Sequence, residues 1–221
     1  MLEVQDWGII GYGEAEKKQL ELFQSKIDAK LNHKILPNYL ALLEHFPVYT
    51  LGKNADEKNI LPIARTCGAE FHHISRGGDV TFHGLGQLVA YPIIDLQSYQ
   101  IGVRTYVTLL EEIGIAICAE YGIQAEASSE EGVWIDIHSP RARKIMAIGI
   151  KVSRYVTMHG IAFNVNTDLD YFSFIIPCGI PNKGVTSLQR ELGREIDMKE
   201  VKEKFERIFR EKFIEKATNS L

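Results

Sequence analysis

Cysteine is scarce in this chain: three residues in 221, Cys67, Cys118 and Cys178. An odd, low count gives no disulfide framework and fits free thiols in a reducing compartment. No two of them stand at C-x-x-C spacing, so a zinc site is not expected either. Long apolar runs are missing as well; none approaches the roughly 18 residues of a membrane helix. The first residues, Met1-Leu-Glu-Val-Gln-Asp-Trp7, lack the basic start and apolar stretch of a secretory leader. A formal charge of -4 gives no reason to expect nucleic acid as the ligand. There is no G-x-G-x-x-G opening a helix and no Walker sequence, so nothing marks a dinucleotide or ATP site. Repeats, linkers and low-complexity segments are also absent. The expectation is a soluble cytoplasmic protein with no membrane or nucleic-acid partner. Its 45% hydrophobic content is enough for a full core, and its length suits a single domain over 1–221.

What is present is a mixture of strand and helix patterns. Glu3–Ile10 reads as a strand. Glu14–Asn32 reads as a charged amphipathic helix, with Leu20, Phe23, Ile27 and Leu31 on one face. Tyr39–Leu51 reads as one or two strands broken at Pro47. Ala69–Ile74 and Leu88–Asp95 read as strands on either side of a glycine-rich loop. Val103–Tyr121 is a helix with Val103, Tyr106, Val107, Leu110, Ile113 and Ile117 inward. Gly132–Ile137 is a short strand. Ile145–Ser153 and Tyr155–Val165 form an antiparallel pair turning near Arg154. Asp197-Met-Lys-Glu200 is a capping box opening a last helix through Lys212 or beyond, with Val201, Phe205, Ile208 and Phe213 buried. The tail from Ala217 is expected to fray. Without strict β-α alternation the fold class is α+β, a mixed and largely antiparallel sheet packed with helices.

The loop Arg76-Gly-Gly-Asp-Val-Thr-Phe-His-Gly-Leu-Gly-Gln87 holds four glycines and a histidine between apolar runs. Glycines let a backbone come close to a ligand. Cys178, between Pro177 and Gly179, is the candidate nucleophile, because a turn can expose a thiol that a strand would bury; a buried core thiol is the alternative. Cys118 lies in the apolar helix and Cys67 has no basic or histidine neighbour in sequence, so both read as structural. Lys144 opens the strand Arg143-Lys-Ile-Met-Ala-Ile-Gly149, where alternation groups it with Met146 and Ile148. His83 can act as a base or order its own loop. In His159-Gly-Ile-Ala162 the glycine sits mid-strand, where a ligand can lie against the backbone. Arg141, Arg143, Lys144, Lys151 and Arg154 form a basic cluster in sequence that can meet an acidic partner or simply face water.

The strings Arg76-Gly-Gly-Asp-Val-Thr-Phe-His-Gly-Leu-Gly-Gln-Leu88, Lys144-Ile-Met-Ala-Ile-Gly149, His159-Gly-Ile-Ala-Phe-Asn-Val165 and Pro177-Cys-Gly-Ile-x-x-x-Gly-Val-Thr-Ser-Leu188 resemble, in order, the lipoyl(octanoyl) transferases. The resemblance runs from about Tyr49 to Leu188. Two positions depart: Phe82 stands where the family mostly has tyrosine, and Leu85 where it mostly has proline. The resemblance implies the biotin/lipoate protein ligase fold, with a ligase-like core over about 33–217. It implies transfer of octanoyl or lipoyl from acyl carrier protein to a lysine of lipoyl domains, by way of a thioester on Cys178 whose pKa Lys144 lowers. The implied targets are the lipoyl domains of 2-oxoacid dehydrogenase acyltransferase subunits and the glycine-cleavage H protein. By the same carry-over the acyl site comprises Arg76, Gly77, Gly78, Asp79, Val80, Thr81, Phe82, His83, Ala147, Ile148, Gly149, Gly160, Ile161 and Ala162, and neither metal nor cofactor is implied. Met146, Ile148 and Ile161 are expected to line a slot for the acyl chain. Two rivals stand beside this reading. One is an ATP-dependent lipoate ligase on the same fold. The other is a cysteine hydrolase in which Asn164 or Asp79 orients His83.

Overall fold

A computed structural model describes residues 1–176 and 184–218, with side chains through Phe213 in the last helix. Cys178 lies outside the described residues.

The main sheet is built from β1 (Leu2–Ile10), β2 (Asn38–His45), β6 (Gln87–Ile93), β10 (Val156–Asn164), β9 (Arg143–Ser153), β8 (Val133–Ile135) and β7 (Glu126–Ala127), in that spatial order; the two-residue β11 (Gly184–Val185) adds to β9. β1 runs parallel to β2 and β11 parallel to β9, and every other pairing is antiparallel. A second sheet places β3 (Val48–Leu51) between β4 (Glu70–His73) and β5 (Val80–His83). The fold is therefore α+β with a largely antiparallel sheet, as the mixed pattern predicts.

One face of the main sheet carries α2 (Val103–Glu120) and α4 (Met198–Thr218). Tyr106, Leu110, Ile113 and Ile117 of α2 pack there with Val201, Phe205, Ile208 and Phe213 of α4, as their spacing predicts. Val103 is exposed in the first turn of α2, and Leu109 is buried instead. The other face takes α1 (Tyr12–Leu31). Its buried stripe is Tyr12, Ala15, Gln19, Phe23, Lys26 and Ile27. Leu20 and Leu31, expected inward, are exposed. The reason is that α1 covers a partly polar sheet face, where Gln19 Oε1 accepts from His159 N at 3.1 Å.

Three local readings change in detail. The stretch read as a glycine loop contains a strand, β5, because Val80 and Phe82 alternate into a second apolar cluster with Tyr49, Leu51, Phe172 and Ile175. At α4, Asp197 Oδ1 accepts from Lys199 N at 2.9 Å. Glu200 does not close the box; it accepts from Tyr121 Oη and pairs with Lys204. The helix continues through Thr218, past the expected fraying point. The β9–β10 hairpin turns at Arg154 and Tyr155, with φ of 50° and 65°. Two successive left-handed residues are what a two-residue hairpin loop requires.

Candidate functional site

β9 and β10 form the floor of a cleft. Their register pairs Ala147 with Ala162 and Gly149 with Gly160. Residues opposite each other in an antiparallel pair share a face, so four small residues lie together. The neighbouring pair Ile148 and Ile161 points the other way, into the main core with Met146. Ile148 and Ile161 are nevertheless among the residues that line the cleft, and Met146 is not.

Lys144 joins the small-residue face because of a β-bulge. Val133 pairs with Met146 and Trp134 with Lys144, which leaves Ile145 extra. Ile145 and Met146, consecutive in sequence, therefore both enter the main core. The bulge inverts the alternation beyond it. Lys144 thus borders the cleft with Ala147 and Gly149, not with Met146 and Ile148. Its Nζ donates to Glu131 O at 3.0 Å and sits 4.6 Å from the Trp134 ring centroid. Val185 of β11 is its parallel-strand neighbour, and Thr186 N donates to Lys144 O at 3.0 Å.

The glycine-rich segment closes over this floor. Arg76 is buried; its Nη2 donates to Thr50 O at 2.8 Å and Thr50 Oγ1 at 3.0 Å, and its Nη1 to Gly77 O at 2.8 Å. Two glycines leave room for it. A Cβ on Gly52 would stand 2.8 Å from Nη1, and one on Gly149 2.7 Å from Cδ. Gly77 N donates to Ile150 O at 3.1 Å and fastens the segment to β9.

A chain of hydrogen bonds runs from Arg76 through the interior. Gln87 Nε2 reaches Phe82 O at 3.1 Å, and a carbonyl can only accept, so the amide orientation is fixed. The same nitrogen donates to Asn164 Oδ1 at 3.0 Å, and Asn164 Nδ2 donates to Thr186 O at 3.0 Å. Gln87 Oε1 is left to accept from His83 Nδ1–H at 2.9 Å. Burial, reinforced by His45, holds the His83 imidazole neutral, with a pKa pushed down to about 3. Nε2 is then an acceptor, 3.3 Å from the Thr50 hydroxyl. His83 is an internal link that orders the loop. Neither Asn164 nor Asp79 orients it: Asp79 instead accepts from Asn59 Nδ2 and Val80 N. Among the described residues, the orienting contact that a hydrolase would need from Asn164 or Asp79 to His83 is therefore missing.

The cleft also receives Tyr12, Ile74, Tyr91 and His159, which the sequence did not single out as site residues beyond noting His159-Gly160. Tyr91 follows from register, since the pairing of Ile161 with Ala90 sets it opposite Gly160. Its hydroxyl donates to His45 Nε2 at 2.8 Å, because His45 Nδ1 faces Ile10 O at 3.0 Å. Tyr12 comes from the far end of the chain and had no sequence signal. His159 is buried with φ of 61°. Of the residues expected at the acyl site, all line the cleft except Gly77 and Phe82. The Phe82 ring stacks on Tyr171, with centroids 4.4 Å apart, inside the second apolar cluster. Leu85 is exposed. Cys118 is buried and its thiol is pushed up to about 12 by burial. Cys67 Sγ donates to Ala64 O at 3.0 Å. Both keep structural roles.

Residues 21–210 match the lipoyl protein ligase A/B catalytic domain. An octanoyltransferase of Bacteroides fragilis is 52% identical over 206 residues, 91% of this chain and 93% of that protein. One of Christiangramia forsetii is 46% identical over 223 residues, 96% of this chain and 95% of that protein. The chain belongs to the lipoyl protein ligase A/B catalytic family. Its relatives at about half identity make it an acyltransferase within that family. Solved structures share the fold. A bi-partite lipoate protein ligase of Thermoplasma acidophilum, 15% identical, has a TM-score of 0.70 over 98% of this chain and 90% of that one. A biotin protein ligase of Aquifex aeolicus, 14% identical, has a TM-score of 0.56 over 96% of this chain and 69% of that one.

As a member of this family the chain does not assemble the basic cluster that its sequence suggests. Arg143 opens β9 and Arg154 follows its last residue, Ser153, about 35 Å away at ~3.3 Å per residue. Arg143 is matched by Glu191, through Nε at 2.6 Å, and by Asp136, through Nη1 at 2.6 Å. Lys151 lies over the Phe23 ring of α1. Among the described residues, no group of three or more His, Cys, Asp or Glu side chains is arranged to hold a metal ion, and no helix is long and apolar enough to cross a membrane.

Proposed function

We propose that this acyltransferase moves an octanoyl group from acyl carrier protein to a lysine of a lipoyl domain, by way of a thioester on Cys178. The observation that carries the reading is Lys144 at one end of a cleft floored by Ala147, Gly149, Gly160 and Ala162. Its backbone is tied to β11, the strand that closes the Pro177–Leu188 motif. In the first half-reaction the Cys178 thiolate attacks the donor's thioester carbonyl, and the carrier thiolate leaves and takes a proton. In the second, the target lysine's neutral ε-amine attacks the acyl-enzyme. An amide forms, the Cys178 sulfur departs, and the amine proton passes to a base. Lys144 favours the Cys178 thiolate by charge and can relay both protons. Thioester exchange is nearly neutral in energy and amide formation is downhill, so no nucleotide enters. Lipoyl domains of 2-oxoacid dehydrogenase acyltransferase subunits and the glycine-cleavage H protein are the targets.

The ATP-dependent ligase is the competing reading, and a lipoate-protein ligase A bound with ATP shares the fold at 15% identity. The half-identical octanoyltransferases favour transfer. Intact mass spectrometry after incubation with octanoyl-carrier protein tests the proposal. One octanoyl adduct is expected in the wild type and in Cys67→Ala and Cys118→Ala, and none in Cys178→Ala. An adduct surviving in Cys178→Ala, or turnover that needs ATP and free octanoate, overturns it.

A further inference from the structure

An open groove lies beside β11, next to the strand end that carries Lys144. Arg143 and Val185 both line it, and Val185 is the register partner of Lys144. Its apolar wall comes from Leu169, Phe172 and Ile175, around a short helical turn over Leu169–Phe174. Two arginines, Arg141 and Arg190, border it and are exposed. Neither has a carboxylate within ion-pair distance among the described residues. Asp136 feels the charge of Arg141 at longer range, but its close ion pair, like that of Glu191, is with Arg143. The acid that lines the groove among the described residues is Asp170. Two available guanidinium groups beside an apolar wall suit a ligand with an anionic head and an uncharged stem.

We propose that this groove seats the prosthetic arm of the acyl donor, with Arg141 and Arg190 on its phosphodiester. The inference rests on the carrier-donor reading above and deepens it. Guanidinium forks match phosphate oxygens with paired hydrogen bonds, which ammonium groups do not. The apolar wall takes the methylene and amide stretch of the arm. The thioester end then lies toward Lys144, because the groove and the cleft meet at the β9 residues Arg143 and Lys144. The acyl chain continues over the small-residue floor.

Three donors separate the parts: octanoyl-carrier protein, octanoyl-phosphopantetheine and octanoyl-pantetheine, which lacks the phosphate. In Arg141→Gln/Arg190→Gln, kcat/KM for the first two should fall about tenfold or more, as expected for loss of charge-assisted bonds. Turnover of octanoyl-pantetheine should stay within about twofold, which also shows that the variant is folded. Arg141→Lys/Arg190→Lys should recover only part of the loss, since a point charge lacks the fork. A loss confined to the carrier protein places the arginines against the carrier's own acidic surface and overturns the phosphate site. An equal loss for all three donors, or no loss, overturns the groove altogether. A wild type inert with every donor counts against the transferase reading instead.

Discussion

Gly149 leaves the space that the Arg76 side chain fills: a Cβ at position 149 would stand 2.7 Å from Arg76 Cδ. The guanidinium beyond that point is fixed to Thr50 and Gly77, so it cannot simply swing aside. Gly149→Ala should destabilise the protein by about 1–3 kcal/mol through overpacking and raise KM for the acyl donor. In an Arg76→Ala background the same change should cost little, which is a coupling that a double-mutant cycle measures in urea unfolding. Additive effects would mean that the two residues do not share the space.

Gln87 satisfies three buried groups at once: His83 Nδ1–H, Phe82 O and Asn164 Oδ1. Gln87→Leu orphans all of them, each at ~1–3 kcal/mol, so a loss of about 3 kcal/mol or more is expected. Gln87→Glu should be no better, because a carboxylate cannot donate to the carbonyl or to the Asn164 oxygen. Chemical denaturation reads both variants. A Gln87→Glu protein as stable as wild type would reverse the proton directions assigned along the chain.

Three buried imidazoles make stability depend on pH. Burial pushes His45 down to about 4 and His83 and His159 down to about 3; Arg76 and Lys151 add to the effect at His159. Unfolded, each titrates near 6.5. Below that value the unfolded chain binds more protons than the native one, so stability is full above about pH 6.5 and falls as the pH drops toward 4. Each imidazole adds a slope of up to about 1.4 kcal/mol per pH unit in that window. His159→Asn removes one titrating ring and tolerates the φ of 61° at that position. Its urea midpoint should fall less steeply with acid than the wild-type midpoint. Parallel curves would show that His159 titrates in the native state as it does in the unfolded chain.

Lys144 is proposed to favour the thiolate of Cys178. Lys144→Met should move the pH profile of iodoacetamide labelling at Cys178 upward, toward the ~8.5 of a free thiol. Lys144→Arg keeps the charge but cannot relay a proton near neutrality. Its labelling curve should shift less while its turnover stays low. Coincident labelling curves for wild type and Lys144→Met would remove the lysine from thiol activation.

Where sequence signals are local, they determined the result. The 3.6-residue spacing of α2 and α4, the turn at Arg154 and the glycines around Arg76 each depend on neighbours a few positions away, and the structure keeps them. The pattern of Arg76–Leu88, Lys144–Gly149 and His159–Val165 likewise led to the family, and most of those residues meet at one cleft. Tertiary structure decided what depends on distant partners. β5 forms inside a glycine-rich segment because β3 and the aromatic side chains of Tyr171 and Phe172 give Val80 and Phe82 a core. Lys144 faces the cleft because β8 pairs around Ile145 and creates a bulge, which strict alternation cannot foresee. Tyr12 reaches the site because α1 lies across the sheet, and the face of α1 turned to the sheet carries Gln19, which accepts from a backbone N–H of β10, while Leu20 stays exposed. The basic residues of β9 separate because an extended strand puts its ends far apart, so closeness in sequence did not become closeness in space.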